Sequence, residues 1–528
     1  MDQEDISLYE GYKTMKTDRT RNVSRNFAWG LFQRIVSSLF PFITRTVMIY
    51  TIGLSYVGLS GLFSSVLMVL NLAELGIGSA MVYFMYKPMA EENVDEVCAL
   101  LAVYRKCYRI IGLVILVIGI CLFPLLHFLV NGEVPSDINL EILFAVYLLN
   151  NVLGYFLFAY RRSLLIAAQR SDYLSKVGTL IQFFSSLLMI LALLITRSYY
   201  LYILVIPLST IVNNLLVAVL TWKIYPQYRC RGRISVSEQK KLKKMISGLM
   251  MQKIGGIVNE SVDTIVISGF LGLVTLALYQ NYFVVVSTVM GFVSMLNSSL
   301  TPSIGNSIAS ETVEDNYRLF NNLNFIYIWI VTWSSICMLC MFQPFIHLWL
   351  GEECQFGMEM VLLFVAYYFV YRWCDVIGLF QGACGLWWET RFIPITGAAL
   401  NLVVNIVLVK TIGLPGILIS TILSILFVYD LGSSRVLFRT YFKSIEGGFG
   451  KYWRRQFFYL IVAFITALTT GVVCSSVKCS SVFWQLCFNG FVCLVVPNLL
   501  LCLFWSRCPE MKYALLKVKE VMRLLNRS

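Results

Sequence analysis

Apolar stretches of about 20 residues, long enough to cross a bilayer as helices, recur fourteen times between residues 27 and 504. No other feature limits the fold so tightly. A backbone inside hydrocarbon must satisfy its own N–H and C=O groups, and runs of this length and continuity do so as helices. The expected fold is therefore all-α and polytopic. Composition agrees: the chain is 58% hydrophobic and 13% charged, where a soluble domain runs nearer a quarter charged. Its net charge of +13 would suit a nucleic-acid partner, but the basic residues fall between the apolar runs, so none is expected.

The basic residues also set the orientation. With the N-terminus in the cytoplasm, inner segments carry 35 of the 42 Lys and Arg, and outer loops carry only Arg197, Lys410 and Lys478. Moving the assignment by one helix inverts the bias, so both ends are expected inside. The organisation read this way is a cytoplasmic tail (1–25), an N-lobe of six spans (26–222) and a basic linker (223–245). A C-lobe of six spans (246–437), a cytoplasmic loop (438–456), two further spans (457–504) and an amphipathic tail (505–528) complete it. The linker's cluster of Lys and Arg serves topology first and anionic headgroups second. The tail sets Leu515, Leu516, Val518, Met522 and Leu525 against Lys512, Lys517, Lys519 and Arg523, as suits a helix lying on the inner surface. The first 25 residues lack the pattern of a signal peptide.

The chain repeats itself at an offset of 219 residues. Arg34 matches Lys253, Gly53 matches Gly272, Glu92 matches Glu311 and Val94 matches Val313. A Phe–Pro–His–Gly-Glu segment at 123–133 returns at 342–352 with one compensated shift. Six spans separate the copies, an even number, so both have the same orientation. An axis along the membrane normal should relate them, with a site near mid-membrane between them.

Charges inside the spans are the candidates for function, because each costs at least ~2.5–3.5 kcal/mol in hydrocarbon unless partnered or hydrated. Arg34 and Arg45 are eleven residues apart in the first span, which returns to within about 20° of one helix face. With Lys253 and Arg372 they form the expected basic lining of a substrate cavity. Glu74, Glu260, Asp263 and Asp375 are the candidates for coupling or gating. Asp375 lies one turn from Arg372, an arrangement that suits a structural ion pair as well as a gate. His127 and His347 fall at outer helix ends, where an interfacial histidine is ordinary. The fifteen cysteines show no metal-ligand spacing; most lie in spans as small apolar residues. Cys474 and Cys479 flank one outer hairpin and are close enough in sequence for a disulfide. No metal, catalytic residue or cofactor is expected, apart from coupling to H+ or Na+.

Three stretches, Asn26-Phe27-Ala28-Trp29-Gly30, Ile52 to Leu59 and Leu72-Ala73-Glu74-Leu75-Gly76-Ile77-Gly78-Ser79-Ala80, together with the paired Phe–Pro–His segments, carry a resemblance. Over roughly residues 20 to 505 the chain resembles the multidrug/oligosaccharidyl-lipid/polysaccharide flippase superfamily, in particular its bacterial polysaccharide branch. The resemblance implies two six-helix bundles around a central cavity, alternating access, and an extra helix pair beside a groove for a lipid tail. It implies a polyprenyl-diphosphate-linked oligosaccharide as substrate, moved from the inner to the outer leaflet of the bacterial cytoplasmic membrane. Membrane lipids, a polysaccharide polymerase and glycosyltransferases are the further partners implied. The residues agree in kind, since an anionic, sugar-rich headgroup needs cations and hydroxyl or aromatic partners.

Two other classes compete. A cation-coupled multidrug exporter would favour acids in its cavity, whereas bases match or outnumber acids within these spans. A membrane polymerase or ligase would need a sizeable outer loop, and every outer loop here has about a dozen residues or fewer. No G-x-x-x-x-G-K-[ST] is present for ATP hydrolysis. The orientation is testable by thiol labelling of intact cells in a background without native cysteines. Lys478→Cys should react from outside and Ser235→Cys only after permeabilisation; outside labelling at position 235 would overturn the topology.

Overall fold

The computed structural model describes residues 29, 30, 32–74, 76–131 and 134–516, with side chains at all of these except 72, 73, 90, 244, 248, 249, 251–260, 298, 299 and 302. Within them the chain is helical throughout its apolar stretches and forms no strand. In the first half, α1 covers 32–51, followed by α2 (Leu54–Leu70), α3 (Ile77–Ala90), α4 (Val94–Leu122), α5 (Leu140–Phe156) and α6 (Arg162–Ala167). Next come α7 (Ser171–Thr196), α8 (Tyr199–Ile224), α9 (Val236–Leu271) and α10 (Leu273–Ser310). The rest are α11 (Val313–Leu350), α12 (Met358–Trp373), α13 (Asp375–Ala383), α14 (Ile393–Ile412), α15 (Leu414–Ser424), α16 (Leu431–Thr440), α17 (Gly448–Ser476) and α18 (Val482–Trp505).

Ten of these segments are long and apolar enough to cross a membrane, and the bent pair α5–α6 makes eleven. The other three expected crossings are α1, the 17-residue α2 and α9. The all-α polytopic fold read from the sequence is the fold observed. The described part of the tail is helical over 509–516, with Leu515 and Leu516 exposed. Cys474 and Cys479 are both free thiols.

The 219-residue period recurs in the backbone. Gly53 ends α1 at φ 108° and Gly272 ends α9 at φ 87°, both with an extended ψ. That backbone region strongly favours glycine, so two long helices can meet there at a single residue. Asn93 caps α4 by accepting from the Glu96 amide, and Thr312 caps α11 by accepting from Asp315. At the start of α9, Ser235 and Glu238 form a reciprocal capping box, whose bonds from Ser235 hold the Glu238 carboxyl below the usual carboxylate range.

Several spans are interrupted. The second crossing, expected as one helix over 57–85, unwinds between α2 and α3 into a 3-10 turn at Asn71–Glu74 and a left-handed Gly76 at φ 85°. The fourth bends by 49° between α5 and α6, where Phe158 is left-handed. The tenth breaks at Cys374, between α12 and α13, 218 residues after Phe156. The twelfth passes through a π-helical segment at Ile425–Asp430. Each break carries an acid or an arginine at or beside it.

By contact the chain divides into two compact units, Met1–Val274 and Thr275–Ser528. The first unit includes α9, whose far end is fastened to earlier helices. The Ser268 hydroxyl donates to the Leu129 carbonyl (2.8 Å), the Asn131 amide to Ser268 (3.0 Å) and the Asn131 side chain to Phe270 (3.0 Å). Beside these bonds, Gly58 of α2 lies so close to the chain that an added Cβ would fall 2.3 Å from the Leu273 carbonyl oxygen. Gly58→Val is therefore expected to cost roughly 1–3 kcal/mol, since the neighbour is backbone and cannot rotate away. Gly471→Ala, in open space on α17, should stabilise by up to ~1 kcal/mol. Thermal unfolding in detergent, with both variants beside wild type, checks this. A Gly58→Val midpoint at or above wild type would mean the close approach does not form.

Candidate substrate cavity and buried ion pair

A cavity of about 1340 Å³ lies in the first unit, above the ~300–1,000 Å³ of ordinary small-molecule sites. The two broken crossings of that unit both border it. Asn71, Glu74, Gly76 and Gly78 come from the break between α2 and α3, and Tyr155, Ala159 and Arg162 from the bend between α5 and α6. Straight helices add Gln33, Tyr104, Tyr108, Gln182, Thr210 and Asn214. The wall is rich in amides, hydroxyls and phenols, groups that both donate and accept or stack. Its described charged members are one acid, Glu74, and one base, Arg162.

Glu74 accepts a phenol hydrogen bond on each carboxylate oxygen. The Tyr155 hydroxyl is 2.6 Å from Oε2, and Tyr108 donates to Oε1. Tyr104 donates to the Tyr108 oxygen (2.9 Å), and Tyr155 also lies 2.9 Å from Asn71 Oδ1. Tyr104 and Tyr108 are four apart on α4, which presents both phenols on one face. The carboxylate therefore sits at a helix break with phenol donors on each oxygen and water space beside it. Arg161 and Arg162, adjacent at the other break, diverge. Arg162 is exposed to the cavity; Arg161 is buried, its guanidinium 4.8 Å from the Trp222 ring.

The residues predicted from sequence fall in several places. Glu74 borders the cavity. Arg34 does not border it, although its neighbour Gln33 does; Arg34 is half-buried on α1. Arg45 lies farther along α1 and interacts electrostatically with Tyr202 of α8. Asp263 is buried on α9. The side chains of Lys253 and Glu260 lie outside the described residues. His127 is exposed and pairs with Glu141 at 3.8 Å.

Arg372 and Asp375 do pair, at 3.0 Å across the break between α12 and α13. Arg372 also donates to the Met290 carbonyl and the Ser294 hydroxyl, both at 2.9 Å. Asp375 accepts from Asn297 at 3.0 Å, and Tyr327 donates to the Asn297 oxygen. The network joins α10, α11, α12 and α13. Sequence reading passed over a companion, Asp430, at the end of the π-helical segment, which accepts from Trp373 Nε1 at 2.7 Å. An acid inside the apolar window at 414–434 was the available signal.

A family model described as "Polysaccharide biosynthesis protein" matches residues 23–307, more than half of the chain. The chain belongs to that family. Comparison with curated proteins gives no match. Among solved structures it is similar to the lipid II flippase MurJ in an inward closed conformation. That pair is 15% identical with a TM-score of 0.63, over 91% of this chain and 98% of MurJ. An inward-facing MATE-family multidrug transporter of the MOP superfamily is 13% identical, with a TM-score of 0.60 over 76% and 94% of the two chains. The MATE transporter VcmN of Vibrio cholerae is 14% identical, with a TM-score of 0.56 over 84% and 100%. The chain therefore shares its fold with these transporters and flippases.

Within this family member the ion pair makes a direct prediction. Both partners are largely buried, so Arg372→Ala leaves Asp375 uncompensated and should cost roughly 3–5 kcal/mol. Replacing both, Arg372→Met with Asp375→Leu, should recover most of that. Yield of monodisperse protein by size exclusion checks the order: wild type and double variant high, single variant low. If the single variant is as stable as wild type, the pair is not a structural element.

Proposed function

We propose that this protein is a flippase that carries a polyprenyl-diphosphate-linked oligosaccharide from the inner to the outer leaflet of the bacterial cytoplasmic membrane by alternating access. The observation that carries this reading is the cavity wall. Amides, hydroxyls and phenols bind the hydroxyl groups of a glycan by exchanging donors and acceptors, and its aromatic faces stack on sugar rings. A drug exporter for organic cations would line its cavity with acids; here Glu74 stands among neutral polar groups, with Arg162 beyond. In this reading the protein is a transporter and not an enzyme.

In this reading Arg162 is the cavity cation available to a diphosphate, with Arg34, Arg45 and Lys253 as the further basic positions and Arg372 serving structure first. The cavity is read as open to the cytoplasm, where lipid-linked intermediates are made and where the charge bias puts both chain ends. Polymerase and glycosyltransferases would act on either side of the step. No resident cofactor is invoked.

Coupling belongs to an intramembrane carboxylate. Glu74 and Asp263 are the proposed candidates for coupling to H+ or Na+, because Asp375 is committed to an ion pair with Arg372. Outward movement of net negative charge gains ~2.3 kcal/mol per charge per 100 mV, and an inward cation can reset the empty carrier.

Deletion of the gene should abolish surface polysaccharide and accumulate lipid-linked units on the inner leaflet. Complementation with Arg162→Ala should restore little, because a buried phosphate would lose its bidentate partner. Normal surface glycan in the deletion strain would refute the substrate assignment. For coupling, proteoliposomes with imposed proton or sodium gradients should show gradient-driven transport in wild type and its loss in Glu74→Gln and Asp263→Asn. If both amides keep it with an unchanged pH profile, neither carboxylate couples.

A further inference from the structure

Three cysteines that are distant in sequence meet in the second unit. Cys340 of α11, Cys474 of α17 and Cys493 of α18 place their Sγ atoms all within 4.8 Å of one another. Cys474 is 6% exposed and Cys493 1%. Cys337, one turn before Cys340, packs against the same group. A buried cysteine is usually just a small apolar residue, and three in contact could be a coincidence of packing. Their surroundings argue otherwise.

Each of the three carries a backbone carbonyl that a side chain holds. Asn489 of α18 donates to the Cys340 carbonyl at 2.8 Å, and Trp333 of α11 donates to the Cys493 carbonyl at 2.9 Å. Gln485 of α18 reaches the Cys474 carbonyl at 3.4 Å and the Asn489 oxygen at 3.0 Å. The three bonds to cysteine carbonyls cross between helices at the very residues whose sulfurs converge, an outer support of the kind that holds metal ligands in place.

We propose that Cys340, Cys474 and Cys493 bind a thiophilic d10 metal ion of the Zn(II) class, with Cys337 as the available fourth ligand. Zn–S bonds of ~2.3 Å put ligand sulfurs ~3.8–4.0 Å apart, so the thiols need move by less than about 1 Å. Each coordinating thiol gives up its proton to solvent on binding. Three thiolates with a divalent ion leave one net negative charge, and Cys337 as a fourth thiolate would leave two; a monovalent ion leaves one negative charge more in each case, which an apolar site tolerates less well. The ion would join the last helix pair, α17 and α18, to α11.

The test uses full-length protein in detergent with a reductant that does not chelate, titrated with Zn(II), Cd(II), Ag(I) and Cu(I). Cd(II) should give a sulfur-to-metal charge-transfer band that saturates at one ion per chain, and Zn(II) should displace it and raise the thermal unfolding midpoint. Cys474→Ala with Cys493→Ala should remove both signals, while Cys487→Ala, on the exposed face of α18, should keep them. The double variant's elution on size exclusion shows that it folds. In parallel, alkylation and mass spectrometry of protein purified without reductant should find the three thiols reduced. Loss of neither signal in the double variant overturns the site. So does binding of Ag(I) or Cu(I) with none of Zn(II) or Cd(II), or a disulfide within the trio.

Discussion

In hydrocarbon an amide or carbonyl without a partner costs several kcal/mol, and everything in this structure follows from how that cost is met. Along most of the chain it is met by unbroken helix. Among the described residues, four crossings leave the α-helix by a turn, a bend or a π-helical segment, and at each that segment carries polar company. The turn at Asn71–Glu74 has Tyr108 and Tyr155; the bend after α5 has Arg161 and Arg162. The break at Cys374 has the Arg372–Asp375 pair, and the π-helical segment ends on Asp430 with Trp373. Interrupted helices at membrane depth survive only where protein or a watery cavity covers them. The two units use these options differently. In the first, the breaks open onto a cavity. The second seals its Arg372–Asp375 break with a hydrogen-bond network.

How much of this could be read from the sequence depended on whether the signal ran along the chain or across it. Length and hydropathy run along it, so an all-α fold with many crossings was legible, and Gly53 and Gly272 repeat one backbone turn at the 219-residue offset. The Arg372–Asp375 pair was legible because three residues make one helical turn. The cavity was not. Tyr104, Tyr108 and Tyr155 pass in the sequence as ordinary aromatic residues, and Asn71, Asn150 and Asn214 as ordinary polar ones. Only the fold shows that they face one space.

The break at Glu74 was hidden for a related reason. The Glu-Leu-Gly-Ile-Gly-Ser run reads as continuous helix with small residues, and glycine inside a membrane helix is common. What decides that Gly76 unwinds is the demand of Glu74 for donors, met by phenols on α4 and α5. The charges that stood out in sequence were those most expensive in lipid, and expense marks an Arg whether it binds substrate or only packs. Gln33 beside Arg34 is the instructive neighbour: the residue without a formal charge reaches the cavity.

The approach of Gly58 to Leu273 has a thermal consequence. Glycine has no rotamers to lose, and the surface it meets is main chain, so forming this contact orders no side chain at Gly58. A joint of this kind is held by dispersion and fixed dipoles, with little entropy to set against them. Its grip should weaken on warming less than that of a seam of long flexible side chains.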